Sequence, residues 1–222
     1  MDINVLLEDN EIIVVDKPPG VPCQSDKTGD MDMMTALDRE YLGVVHRLDR
    51  PVGGVMVYAK TQNANSWLSK AISDRAFHKE YLAVVCGKPD LDNEELVDYL
   101  KKLRTVNMSK VVSEDDNGSK KAILEYRLLE SVDTDEFGSL SLLHIILQTG
   151  RHHQIRVQLA NAGLPLWGDT KYNKAFTKRK EWSQISLWSH RLKFRHPGGR
   201  KVSFYSVPGH IFPWNLFQMP DI

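Results

Sequence analysis

The 222-residue chain carries only two cysteines, Cys23 and Cys86. Two thiols cannot build a disulfide framework or a cysteine-rich zinc site, so both are expected to be free and structural. No apolar run approaches the ~20 residues of a membrane span. The N-terminus Met1-Asp2-Ile3-Asn4 lacks the basic-then-apolar pattern of a signal segment. A soluble, cytoplasmic protein with no membrane partner is the expectation. Internal repeats, low-complexity tracts and linkers are also absent, so one domain over 1–222 is expected, with a monomer as the default state. Net charge is missing too: 29 Lys and Arg balance 29 Asp and Glu. That is not the bulk footprint of a nucleic-acid binder.

What is present is ordinary in amount and uneven in placement. Hydrophobic residues make 41% and charged residues 26% of the chain, as in a soluble globular protein, and the length suffices for one sizeable core or two small ones. Between Lys171 and Lys201 the cations Lys171, Lys174, Lys178, Arg179, Lys180, Arg191, Lys193, Arg195, Arg200 and Lys201 face only Glu181. Acids gather in the middle instead, at Asp90 to Asp98, Glu114-Asp115-Asp116 and Asp133 to Glu136. A neutral total can therefore hide one basic face of the kind a phosphate backbone reads. Solvated charge on exposed loops is the competing reading.

Short β-type runs at Val5–Leu7 and Ile12–Val15 predict a hairpin, and Lys17-Pro18-Pro19-Gly20 a stiff connection after it. Met34, Leu37 and Tyr41 recur at helical spacing, which predicts a short helix over Met33–Tyr41. Thr61 is a candidate N-cap for a longer helix, Gln62–Arg75, whose apolar face is Ala64, Trp67, Leu68, Ala71 and Ile72; Trp67 is expected in the core. Lys79–Gly87 reads as a strand. Leu96–Leu100 fits either a strand or a helix turn, and Asp115-Asp116-Asn117-Gly118 signals a turn. Ala122–Leu129 and Leu140–Leu147 look like paired strands. In the helix expected after Gly150, Ile155, Leu159 and Ala162 share a face, Arg156 lies part-buried beside it, and Gly163 suits the left-handed cap. Leu187–Phe194 and Val202–Ser206 predict a hairpin around His196-Pro197-Gly198-Gly199. The apolar tail Pro208–Ile222 is expected to pack on the body.

Two stretches carry candidate chemistry. In the first, Val44–Leu48 reads as a buried strand end and Val55–Ala59 as the next strand, joined by a bend holding Asp49 between Arg47 and Arg50. Pro51 fixes its own φ and Gly53-Gly54 permits positive φ. Asp49 is thus expected on a tight loop at a sheet edge, a position from which a scaffold can aim a side chain. A turn residue in a surface ion pair would look the same, and such pairs contribute little. The second stretch presents Arg151 and Arg156. A carboxylate paired with a guanidinium stays ionised and suits attack at an anomeric carbon or proton abstraction nearby. Ordinary glycoside hydrolysis needs a second carboxyl group, and neither stretch offers one, which favours rearrangement of a glycosidic bond. A metal site is disfavoured: His152-His153 would point about 100° apart on a helix, and no H-x-x-x-H spacing occurs. No Gly-x-Ser-x-Gly elbow is present for a serine hydrolase. His46, His152 and His153 are expected to be hydrogen-bonding residues.

These stretches resemble a known family. His46-Arg47-Leu48-Asp49 with Tyr58-Ala59-Lys60-Thr61 resembles the signature of the RluA-type pseudouridine synthases. Thr149-Gly150-Arg151-His152-His153-Gln154-Ile155-Arg156 resembles their second motif, continued by Pro165-Leu166-Trp167-Gly168-Asp169 and Tyr172. Asp16-Lys17-Pro18-Pro19-Gly20 is similar to their N-terminal turn, and Lys79–Gly87 to their tyrosine-bearing strand. The resemblance implies an α+β fold with a mixed, mainly antiparallel sheet flanked by helices and a site in a central cleft. It implies an isomerase that detaches uracil from ribose within ribosomal or transfer RNA, rotates it and rejoins it through carbon, without metal or organic cofactor. Asp49 would be the catalytic carboxylate, as nucleophile or base. Tyr81 would stack on the base, Arg156 would pair with the aspartate, and Arg47 would fill the vacated gap or hold a phosphate. The target nucleotide is expected to flip out of its stack, with an aromatic platform recovering part of the cost.

Departures from the family pattern are two. Val52-Gly53-Gly54 stands where Thr-Ser-Gly is usual, and His152 where threonine is common. The chain also begins at the catalytic core, so the small N-terminal RNA-binding domain of many relatives is not expected. A non-catalytic RNA-binding module that keeps the fold is the alternative, and a glycoside or nucleoside hydrolase a third class.

Overall fold

Ile12, Ile13, Val14 and Val15 have no solvent exposure, and the strand they form is central to the first of two units. The structure is a computed structural model describing residues 1–179 and 183–220. One unit comprises Met1–Glu80 with Trp188–Pro208, the other Tyr81–Leu187 with Gly209–Asp221.

In the first unit β1 (Asn4–Glu8) and β2 (Ile12–Lys17) form an antiparallel hairpin. Asp9 closes its turn by accepting from the Glu11 and Ile12 amides at 2.9 and 3.0 Å. β3 is only Gly43–Val44, paired antiparallel with β4 (Gly53–Ala59). All seven residues of β4 are buried, which explains its unbroken apolar run, and it pairs antiparallel with β2. The helix α2 (Gln62–Ser73) is capped by Thr61, whose Oγ1 accepts from the Ala64 amide at 3.0 Å. It buries Ala64 and Leu68 against Ile12, Val14, Val55, Val57 and Phe194.

In the second unit the strands β5 (His78–Cys86, in this unit from Tyr81 on), β6 (Asn93–Leu103), β7 (Met108–Val112), β8 (Lys120–Thr134) and β9 (Gly138–Leu147) lie in the order β5-β9-β8-β6-β7. The pairs β8–β9, β6–β8 and β6–β7 are antiparallel. The helix α3 (Gln154–Asn161) sets Val157 against Leu100 and Ala122, and Gly163, at φ +80°, follows its C-terminal end. A short α4 (Lys174–Thr177) is capped by Asn173. The tail buries Trp214 and Phe217 while leaving Ile211 and Phe212 exposed. Back in the first unit, β10 (Leu187–Arg195) joins β4 in parallel and β11 (Lys201–Tyr205) antiparallel, completing the hairpin around 196–199. The result is the expected α+β class, mixed and mainly antiparallel, with flanking helices.

Several local expectations change. The first helix, α1 (Met33–Leu37), stops short of Tyr41 because Asp38 turns left-handed at φ 48°. Val44 ends β3, so Val45–Leu48 is loop and not strand. Trp67 is 44% exposed; its indole N–H caps the Arg195 carbonyl at 3.0 Å, giving the polar tip a partner at the surface. Leu96–Leu100 lies within a long strand, β6.

Candidate active site

The Asp49 loop is braced from beneath by residues far away in sequence. Lys17 is completely buried, and its ammonium donates to the carbonyls of Pro18, Val21 and Arg50 at 2.9, 2.7 and 3.2 Å. Burial drives its pKa down to about 8, against the opposing pull of Cys23 and Asp49. The Gly20 amide donates to the Arg50 carbonyl at 2.8 Å, and Arg50 Nε donates back to the Gly20 carbonyl at 2.9 Å. The Cys23 thiol sits between the Leu48 amide and carbonyl at 3.3 and 3.1 Å, which is why it is buried and free. The Asp49 carbonyl accepts from the Val52 amide at 2.9 Å, forming the expected tight turn. Leu48 points inward, Asp49 is half-buried and Arg47 is exposed. Arg50 pairs with Asp30 at 2.5 Å.

His46 is the loop's other anchor. Its Nε2 accepts from the Val57 amide at 3.2 Å and its ring meets Phe77 at 5.5 Å. Burial, with the nearby charge of Lys79, lowers its pKa to about 3. A neutral imidazole in that role is a hydrogen-bonding residue, as expected.

In the second unit Tyr81 is buried in β5. Arg156 is also buried, more completely than the helical face predicted. Its Nε and Nη2 donate to the two carboxylate oxygens of Asp169 at 2.8 and 2.6 Å, a fork-to-fork geometry that fixes the guanidinium plane. In the sequence Asp169 is one letter of a motif, and its role is not legible there because thirteen positions separate the partners. Its Oδ1 also accepts from the Lys171 and Tyr172 amides, and Arg156 lies 5.2 Å from the centre of the Tyr172 ring.

The two adjacent histidines do not sit on the helix. His153 is left-handed at φ 53°, so the rings stack at 3.8 Å and do not splay. His152 meets Ser109 Oγ through Nδ1 at 2.9 Å and Asn107 Oδ1 through Nε2 at 3.1 Å; His153 meets the Tyr172 hydroxyl at 2.8 Å. Both hold the β6–β7 hairpin near α3. Among the described residues no group of three His, Cys, Asp or Glu side chains could hold a metal ion.

The basic region is less basic in space than in sequence. Arg179 pairs with Glu136 at 3.2 Å, Arg191 with Glu80 at 3.4 Å and Arg200 with Asp9 at 3.6 Å. Lys180 and Glu181 lie outside the described residues.

A family model described as RNA pseudouridylate synthase matches residues 11–161, which contain the Asp49 loop, Tyr81 and Arg156. The chain belongs to the RNA pseudouridylate synthase family. The RluA-type resemblance is thereby borne out. The chain is 33% identical to a ribosomal large subunit pseudouridine synthase C of Rickettsia bellii, over 76% of this chain and 56% of that protein. It thus spans little more than half the length of that relative. It is 29% identical to a tRNA pseudouridine synthase C of Pasteurella multocida, over 89% of this chain and 87% of that one. Among solved structures, the human RNA pseudouridylate synthase domain containing 1 superposes with a TM-score of 0.79 over 96% of this chain and 85% of the other, at 19% identity. That likeness shows the pseudouridine synthase fold.

Proposed function

We propose that the chain is a cytoplasmic RNA pseudouridine synthase that isomerises uridine to pseudouridine within ribosomal or transfer RNA. The observation that carries this reading is the braced Asp49 loop inside the span matched by the family model. One buried ammonium ties the Arg50 carbonyl of that loop to the Pro18 and Val21 carbonyls, and so holds the backbone on which a half-buried carboxylate is displayed. Fixing a reacting group before substrate arrives is what lowers a barrier through orientation.

The chemistry balances without a cofactor. The C1′–N1 bond of uridine breaks, the freed uracil turns, a C1′–C5 bond forms, and the proton lost from C5 to solvent is matched by one taken up at N1. Asp49 supplies the carboxylate, as nucleophile at C1′ or as base on the ribose. The target nucleotide leaves its stack, at a cost of a few kcal/mol, with Tyr81 as the aromatic partner of the base and Arg156 as a second contact. Arg47, exposed next to Asp49, holds a neighbouring phosphate or fills the gap. Relatives bearing both ribosomal and transfer RNA in their names support the substrate class.

The test is digestion of treated RNA to nucleosides followed by chromatography. Pseudouridine in the chain supports the reading. Free uracil points to a hydrolase, and unmodified but bound RNA, with equal salt dependence in wild type and Asp49→Asn, to a silent binding module.

A further inference from the structure

The loop departure Val52-Gly53-Gly54 has a physical counterpart on the neighbouring strand. Trp188 of β10 is paired in register with Gly53, and Ser189 with Gly54. A Cβ added to Gly53 would lie 2.3 Å from Trp188 Cζ3, with Cη2 and Cε3 at 2.8 and 2.9 Å. A Cβ on Gly54 would lie 2.2 Å from the Ser189 carbonyl oxygen, and Gly54 is at φ +109°. The indole edge therefore occupies the space that any side chain at position 53 would need. It lies at the foot of the turn closed by Asp49 and Val52.

Trp188 is not free to yield. Its indole N–H donates to Ser206 Oγ at 3.0 Å, and Ser206 Oγ donates to Asp16 Oδ2 at 2.8 Å. The Ser206 amide and carbonyl are both held by His190, at 2.9 and 2.8 Å, and Ser189 Oγ donates to the Val55 carbonyl at 2.9 Å. Asp16 immediately precedes Lys17, whose ammonium braces Arg50 on the other side of the loop.

We propose that Trp188 is a positioning residue for Asp49, and that Gly53 and Trp188 form one coupled pair. The indole takes the place of a side chain at 53 as the packing surface that sets where the Asp49 turn begins. Asp49 is thereby clamped from two sides, by Lys17 beneath the Arg50 carbonyl and by Trp188 against the Gly53 backbone. The proposal rests on the reading of Asp49 as the catalytic carboxylate.

Gly53→Ser, Trp188→Leu and the double variant test it in a cycle, with unmodified large-subunit ribosomal RNA and tRNA transcripts tritiated at uridine C5 as substrate. Gly53→Ser is expected to lower kcat about 10- to 100-fold, as misplacement of a reacting group by ~1 Å does, with KM kept and the melting midpoint lowered because the side chain overpacks a buried strand. Adding Trp188→Leu is expected to recover most of that loss. Hydrogen exchange of the 48–54 amides should quicken in Gly53→Ser and return towards wild type in the double variant. Should Trp188→Leu fail to fold, Gly53→Ala in the wild-type background still reads kcat and loop exchange. Wild-type kcat and exchange in the Gly53 variants would overturn the proposal, as would a double variant whose loss is the product of the two single losses. If wild type releases no tritium, the activity reading fails on its own, and the exchange cycle alone decides the Gly53–Trp188 coupling.

Discussion

Arg156 and Asp169 face each other fork to fork, Nε to Oδ2 at 2.8 Å and Nη2 to Oδ1 at 2.6 Å, with side-chain exposures of 5% and 0%. Asp169→Asn takes the acceptor charge out of two charge-assisted hydrogen bonds to a buried guanidinium, each worth ~1.5–3 kcal/mol. Asp169→Asn should lower the stability read from urea denaturation by that amount, and pseudouridine formation with it. A loss under ~1 kcal/mol would be the behaviour of an exposed pair and would contradict the geometry.

Lys17 makes a pH prediction. Its folded pKa of about 8 lies below the ordinary 10.5, so between those values the unfolded chain holds a proton that the folded one has released. The cost of burying the ammonium disappears over that window, and this group's contribution to stability rises with pH, by roughly 3 kcal/mol at most. The stability of wild type relative to Lys17→Met should climb between pH 8 and 10.5. A flat difference would mean that Lys17 keeps an ordinary pKa.

His46 acts at the acidic end. Its pKa falls from 6.5 to about 3 on folding, so from pH 6.5 downward the unfolded chain takes up a proton that the folded chain refuses. Stability is lost as pH falls through that range. Wild type should lose stability more steeply than His46→Gln between pH 6.5 and 4, measured by denaturant titration at each pH. Parallel slopes would contradict the buried neutral imidazole.

His152 ties the β6–β7 hairpin to the segment before α3 through Ser109 and Asn107. Replacing it with the threonine common in the family removes two hydrogen bonds, each contributing ~0.5–1.5 kcal/mol. His152→Thr should speed hydrogen exchange in the 104–109 segment while leaving the 48–54 amides unchanged. Unchanged exchange at 104–109 would show that the hairpin is held by other contacts.

Local patterns carried much of this molecule. Alternation and apolar runs located β2, β4 and the β10–β11 hairpin, and Thr61 marked its helix start. The turn at Asp49 was legible because a carboxylate between two arginines and a glycine bend form a contiguous string. What could not be read were contacts that close over long separations. Lys17 looked like a turn residue, yet it reaches Arg50 thirty-three positions on. Asp169 was one letter in a motif until it met Arg156. Trp67 fitted the apolar face of α2, and only the neighbouring Arg195 carbonyl shows why it sits outside. The cationic run from 171 to 201 is continuous only along the chain, whereas Glu136, Glu80 and Asp9, which pair with its members, lie elsewhere in sequence.

The proposed chemistry turns on one carboxylate on one braced turn. Single-turnover tritium release from C5-labelled RNA, comparing wild type with Asp49→Asn after both are shown to fold and to bind that RNA equally, tests it most directly. Release by wild type and none by Asp49→Asn is the expected result; equal release by the two would contradict it.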